Sequence, residues 1–293
     1  VQRRSLLKGL PALLPGAAWA AQPSELLVTL RAPDSETDLR SGYIRDAVKL
    51  ALEKTRITDG PFRLQMSPPM NKPRALVEAS RRTLPNFLIS TGPEQGREAG
   101  LAPVLFPLLL GANRYRVCFV HAPRQAQVRE AVAAGDISRL RHVQGRGWAD
   151  VATLRANGLL VDEVNTYDAM FELVALGRAD LFCRHVLEVG AEARVHAGRP
   201  GLVLDDSLLL AYEQPHYLYT HPDNRVVIDR MARGFGLAFN DGSLQALLRK
   251  RLQPALALLN LPQRRLFMLQ SPAAALVEMN DKPYYLDLLR PPR

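Results

Sequence analysis

Apolar residues fall into short runs that alternate with longer segments in which they recur at three- and four-residue spacing, and this alternation predicts an α/β chain. Strands are expected at Leu26–Leu30, Phe62–Met66, Phe87–Ser90, Tyr115–Val120, Leu160–Val164, Leu181–Arg184 and Tyr217–Thr220, with an unassigned segment at Leu208–Tyr212. Helices are expected at Tyr43–Leu52, in TYDAMFELVALGRAD, and at Asn224–Phe239 and Leu244–Arg251, with a further candidate in the tail, SPAAALVEMN. The glycine-rich stretch TGPEQGREAG reads as a loop at the carboxyl end of the third strand, where open α/β sheets hold ligands. Near Tyr115 the chain starts a second α/β unit without a long linker, so it is expected to cross between two lobes more than once.

Composition agrees with this picture. The 293 residues are 47% hydrophobic, 6% aromatic and 23% charged, which suits a folded chain and not a disordered or fibrous one. The opening VQRRSLLKGLPALLPGAAWAA joins a basic stretch to a short apolar run and small residues, the pattern of an export leader. Arg3-Arg4 before Ser5-Leu6-Leu7-Lys8 resembles a twin-arginine signal. Removing residues 1–20 takes away Arg3, Arg4 and Lys8 and no acidic residue, so the formal charge falls from +9 to +6. A soluble periplasmic product is expected, with no integral membrane segment and no nucleic-acid partner, since the remaining arginines are interspersed with acids.

Catalytic motifs are absent: there is no HExxH, GxSxG, P-loop or dinucleotide fingerprint, and neither a metal nor another cofactor is expected. Cys118 and Cys183 fit neither CxxC nor a zinc pattern, which leaves a disulfide and two buried thiols both open.

The ordered segments TGPEQGREAGLAPVLFPLLLGANRYRV, GRGWADVATLRANGLLV, YDAMFELVALGRADLFCRHVLEVGAE and YLYTHPDNRVVIDRMARGFGLAFNDGSLQALL resemble the periplasmic solute-binding proteins of the amino-acid-binding type (type II, family 3-like), in a divergent branch. The resemblance implies a two-lobed α/β fold with two hinge strands and a ligand cleft. It divides the chain into a leader (1–20), the first part of lobe 1 (21–113), lobe 2 (114–210) and the second part of lobe 1 (211–293). It also implies a monomer that closes around a small molecule for an ABC permease. A sensing role beside a signalling partner, or a dehydratase-like enzyme using Glu172 or His185, are the alternatives on the same fold.

By this resemblance Arg97 grips a ligand carboxylate beside Ser90 and Thr91, because a guanidinium matches a carboxylate with two parallel hydrogen bonds. Gly145, Arg146, Gly147 and Trp148 form the turn that offers backbone N–H groups to an anion. Tyr43 and Arg40, with Asp38 beside them, are expected to line the cleft. Arg184 stands where relatives place an acid for the ligand ammonium, so an anionic or carboxylate-bearing ligand is expected, unless Arg184 pairs with Glu188 or Glu192 instead.

Overall fold

The computed structural model describes residues 25–33 and 41–290. The export leader, Asp38 and Arg40 lie outside these described residues.

The first sheet grows from βαβ units. Strand β1 (Leu26–Leu30) leads through helices α1 (Ser41–Lys54) and α2 (Arg56–Asp59) to β2 (Phe62–Met66), then through α3 (Lys72–Ser80) to β3 (Phe87–Thr91). Both β2 and β3 lie parallel to β1. Asn71 caps α3 by accepting from the Arg74 N–H at 3.1 Å, and Pro73 sits in its first turn, where no N–H is needed. After the short helix α4 (Pro93–Glu98) and β4 (Ala102–Val104), the chain crosses through residues 105–114 to the second sheet.

That second sheet contains β5 (Tyr115–His121), β6 (Arg141–Gly145), β7 (Leu160–Val164), β8 (Leu181–His185), β9 (Leu202–Leu204) and β10 (Leu208–Ala211). Helices α5 (Gln125–Ala134), α6 (Ala149–Ala156), α7 (Tyr167–Ala175) and α8 (Val186–Val195) connect them. Residues 212–216 return the chain to β11 (Tyr217–Thr220), which pairs antiparallel with both β3 and β4. The first sheet is therefore ordered β2-β1-β3-β11-β4, and the second β12-β10-β5-β8-β6-β7 with β9 beside β5. Helices α9 (Arg225–Asn240) and α10 (Ser243–Leu259) then lead to β12 (Arg265–Met268), which lies parallel to β10 in the second sheet.

The expected strands all form, and the sequence pattern missed the shorter or more polar ones. β6, RHVQG, carries a single aliphatic side chain and pairs with both β7 and β8. β12 exposes Leu266 and Met268, so it lacks a burial pattern of its own. The glycine-rich stretch after β3 is helical from Pro93, while the tail candidate SPAAALVEMN yields only a 3-10 turn at Pro272–Leu276. Helix α10 runs past Arg251 to Leu259 with Pro254 inside it, and its buried Leu244, Leu248, Leu252 and Leu259 offset the lost backbone hydrogen bond.

One apolar cluster joins the lobes. It runs from Val28, Leu88 and Phe235 through Phe106 and Leu108–Leu110 of the first crossing to Phe119, Phe171 and Phe182 of the second sheet. Helix packing tightens both ends of it. A Cβ on Gly234 of α9 would lie 2.2 Å from the Ala51 carbonyl of α1, and one on Gly190 of α8 would lie 2.7 Å from the Ala255 Cβ of α10. Cys118 and Cys183, facing each other on antiparallel β5 and β8, form a disulfide, which resolves the alternative left open by their spacing.

Candidate functional site

The carboxyl ends of β3, β6 and β8 and the crossing at residues 212–216 meet between the two sheets. At the end of β3 the buried Thr91 hydroxyl donates to Gln95 Oε1 at 2.7 Å, and Gln95 Nε2 donates to the Gly147 carbonyl of the second lobe at 3.4 Å. Thr91 and Gly147 are thus brought together through a residue not singled out from the sequence. Next to Thr91, the Ser90 hydroxyl is buried without a hydrogen-bond partner.

The turn Gly145-Arg146-Gly147-Trp148 stands opposite. Its Gly147 has φ +72°, which favours glycine, and the Trp148 ring occupies the space a Cβ on Gly145 would need, at 2.4 Å. Its N–H groups already have acceptors: Arg146 donates to the Val164 carbonyl at 2.8 Å, Gly147 to Glu163 Oε2 at 3.3 Å and Trp148 to the Gly145 carbonyl at 3.0 Å. The Arg146 side chain donates to Asn165 Oδ1 at 2.8 Å.

Arg184 is buried behind Trp148. Its guanidinium lies 4.8 Å from the centre of the Trp148 ring, donates to Glu192 Oε1 at 2.9 Å, and is paired with Glu188. Burial works to lower its pKa, but the Glu188 and Glu192 carboxylates outweigh this and hold it above the ordinary arginine value. Burial pushes Glu192 up against the pull of Arg184, and Tyr167 donates its hydroxyl to Glu192. The arginine that stands in the acid position therefore already holds two carboxylates from its own chain.

Arg97 is also engaged within the chain. It is half-exposed and donates through Nε to Glu278 Oε1 at 3.0 Å and through its guanidinium to the Leu276 carbonyl at 3.2 Å. Tyr43 belongs to the lobe 1 core, where its hydroxyl donates to the Leu108 carbonyl at 2.9 Å. Glu172 lies exposed on α7.

Further residues gather at these strand ends, among them His185, which the sequence marked only for the enzyme alternative. His185, at the end of β8, contacts Glu188 Oε1 through Nε2 at 3.1 Å while its Nδ1 is buried without a partner. With Nε2 turned to the carboxylate, Nδ1 is the ring nitrogen left for another group, an assignment made from this contact. His216 lies in the second crossing; burial, with Lys72 and His185 nearby, lowers its pKa to about 3, so it is neutral. The register Leu218↔Ser90 sets the end of β3 beside β11, which His216 directly precedes. His216 thus stands near His185 of lobe 2, and the strand it precedes pairs with the end of β3 that carries Ser90. Asp150 accepts from Arg116 Nε at 2.9 Å and from the Tyr212 hydroxyl. Burial would raise the Asp150 pKa, but Arg116 and Tyr212 hold it down at about 2. The one sequence signal for His185 and His216 is position at a strand end, since neither sits in a recognisable motif.

Among the described residues, no group of three or more His, Cys, Asp or Glu could hold a metal ion, and no helix is long and apolar enough to cross a membrane.

Two α/β sheets joined by crossing segments, with a polar cleft at their strand ends, define the two-lobed fold of solute-binding proteins. Solved structures with this fold agree. An ancestral arginine-binding protein bound to arginine is similar over 77% of this chain and 98% of its own, with a TM-score of 0.53 and 10% identity. A structure concerned with glutathione import through the cystine ABC importer of Streptococcus mutans is similar over 78% and 96%, with a TM-score of 0.56 and 14% identity. An amino acid ABC transporter substrate-binding protein from Streptococcus pneumoniae bound to L-arginine is similar over 78% and 93%, with a TM-score of 0.50 and 12% identity. No protein-family model matches the chain, and no curated protein matches it in sequence.

Proposed function

We propose that this protein is an extracytoplasmic solute-binding protein that closes around one small polar molecule and presents it to an ABC importer. The observation that carries the reading is the pair of buried, unpartnered polar atoms contributed by different lobes, Ser90 Oγ in β3 and His185 Nδ1 at the end of β8. Buried polar groups are normally satisfied, so two orphans near the strand ends of different lobes are what a ligand's own polar groups would complete. No covalent chemistry is required of these groups, and binding is a shift of an open-to-closed equilibrium.

The ligand suited to this cleft carries a hydrogen-bonding group for His185 Nδ1 and a carboxylate or similar acceptor for Ser90, in the field of Lys72. Amino acids, which the solved structures of this fold hold, have both. Arg97 and Arg184 act in this reading through the chain's own carboxylates, and they shape the cleft from behind instead of receiving the ligand. The Cys118–Cys183 disulfide supports an oxidising compartment, consistent with the twin-arginine-like leader and a periplasmic location.

Native mass spectrometry of gently purified protein tests the reading, followed by calorimetry with the molecule it identifies. Ser90→Ala and His185→Ala should each weaken binding by about tenfold or more, equivalent to about 1.4 kcal/mol. Affinities equal to wild type in both variants would remove Ser90 and His185 from the binding site, and a copurified substrate–product pair would replace binding with catalysis.

A further inference from the structure

β11 returned the chain to lobe 1, but β12 carries it back to the second sheet. After β12 has joined the second sheet, Asn157 Nδ2 of lobe 2 donates to the Gln270 carbonyl at 2.8 Å, and the Gln270 N–H donates back to Asn157 Oδ1 at 3.0 Å. The hydroxyls of Ser271 and Thr153 meet at 3.2 Å. Seven residues later the chain is fastened to lobe 1. Glu278 accepts from Arg97 and from the Tyr219 hydroxyl at 2.9 Å, its N–H donates to the Tyr217 hydroxyl, and Asp281 accepts from Tyr217 at 2.7 Å.

The segment then turns onto the crossings themselves. Tyr284 packs on Phe106 at 5.0 Å, and the Leu286 N–H donates to the Leu110 carbonyl at 2.9 Å. Tyr285 donates to Glu213 of the second crossing at 2.8 Å and lies under the Arg114 guanidinium. Gly111, at φ +71°, has the Tyr285 ring 2.6 Å from where a Cβ would be. Both crossings are thus covered by one piece of chain.

We propose that residues 270–289 are an intramolecular strap that limits how far the two lobes separate, with Glu278 on Arg97, Tyr217 and Tyr219 as its releasable lobe 1 anchor. The length of the strap sets the limit. Its slack is the 3-10 turn Pro272–Leu276, and drawing those five residues from a rise of about 2.0 Å to about 3.3 Å each yields about 7 Å. Any wider opening must detach an anchor. Arg97 therefore serves closure mechanics whatever the cleft holds, and the proposal stands or falls apart from the reading of the ligand.

The test is an interlobe distance measured by pulsed electron spin resonance on ligand-free protein, with spin labels at Glu98→Cys and Asn165→Cys, exposed positions on opposite lobes, and the native disulfide kept oxidised. Inserting six Gly/Ser residues between Ala274 and Ala275 lengthens the strap and leaves every anchor in place. That variant, and separately Glu278→Ala, should broaden the distribution and extend it past the wild-type limit of about 7 Å of opening. Wild-type distributions in both variants would overturn the proposal, as would a wild-type protein that already opens past that limit with its anchors intact.

Discussion

Arg184 donates through Nε to Glu192 at 2.9 Å, so the one positive charge buried at the end of β8 is neutralised from inside its own lobe. With Glu188 as a second partner, the cluster is a structural charge group that shapes the cleft wall through Trp148. Arg184→Ala should lower stability by about 3–5 kcal/mol, because two buried carboxylates are left without their counter-charge. Arg184→Lys should recover only part of this, since an ammonium cannot hold two carboxylates and stack on an indole as a planar guanidinium does. Urea unfolding checks both, and an Arg184→Ala protein as stable as wild type would mean that the cluster contributes nothing to folding.

Acid should destabilise the protein from near neutrality. Burial lowers the His142 pKa from the ordinary 6.5 to about 4, with Asp180 opposing, and His142 touches the disulfide at Cys183 Sγ. The unfolded chain therefore takes up a proton that the folded chain refuses. Stability is fully present above pH 6.5 and is lost as the pH falls toward 4, by about 3 kcal/mol for this group. His216, held at about 3, continues the loss below that, and Asp150, held at about 2 against an ordinary 3.8, adds to it between those values. Urea midpoints across this range should fall steeply in wild type and less steeply in His142→Leu; identical slopes would locate the protons elsewhere.

Reducing the disulfide should cost about 4 kcal/mol by the chain-entropy argument for residues 65 apart in sequence. A Cys118→Ala/Cys183→Ala variant should lose a similar amount in thermal or urea unfolding at neutral pH. Full retention of stability would mean that the β5–β8 pairing alone holds these strands.

Gln95 is the side chain that spans the cleft from Thr91 to Gly147. Gln95→Ala should weaken closure by about one net hydrogen bond, or about 2–10-fold in ligand release rate. Stopped-flow release of the copurified molecule measures this, and an unchanged rate would show that the bridge forms without bearing on closure.

Gly111→Ala should destabilise by about 1–3 kcal/mol, since it places a Cβ both in the left-handed region and into the Tyr285 ring. Tyr285→Ala should relieve the steric part, so the double variant is expected to lose less than the sum of the two singles. A strictly additive cycle, measured by urea unfolding, would separate the glycine from the strap.

The lobes and most strands were legible because each is written locally, as an apolar run between turns, and burial on a sheet face repeats every second residue. β6 and β12 were not, since partners far along the chain complete them. The same division runs through the site. The strand end at Ser90 follows from local pattern, whereas the Gly145–Trp148 turn and the choice between Arg184 as a receptor and Arg184 as a partner of Glu188 and Glu192 came from the resemblance. Which side of that choice holds is a matter of side-chain distance across one helical turn, which composition and spacing do not carry.

By itself, then, the sequence determined an α/β chain that changes lobes without a linker and carries chemistry at its strand ends. Only the tertiary structure decided that Cys118 meets Cys183, that Arg97 holds Glu278 far along the chain, and that His185 Nδ1 and Ser90 Oγ are buried without partners. The reason is physical: local pattern specifies which face of an element is buried, whereas pairing of charges and polar atoms depends on which distant element covers that face.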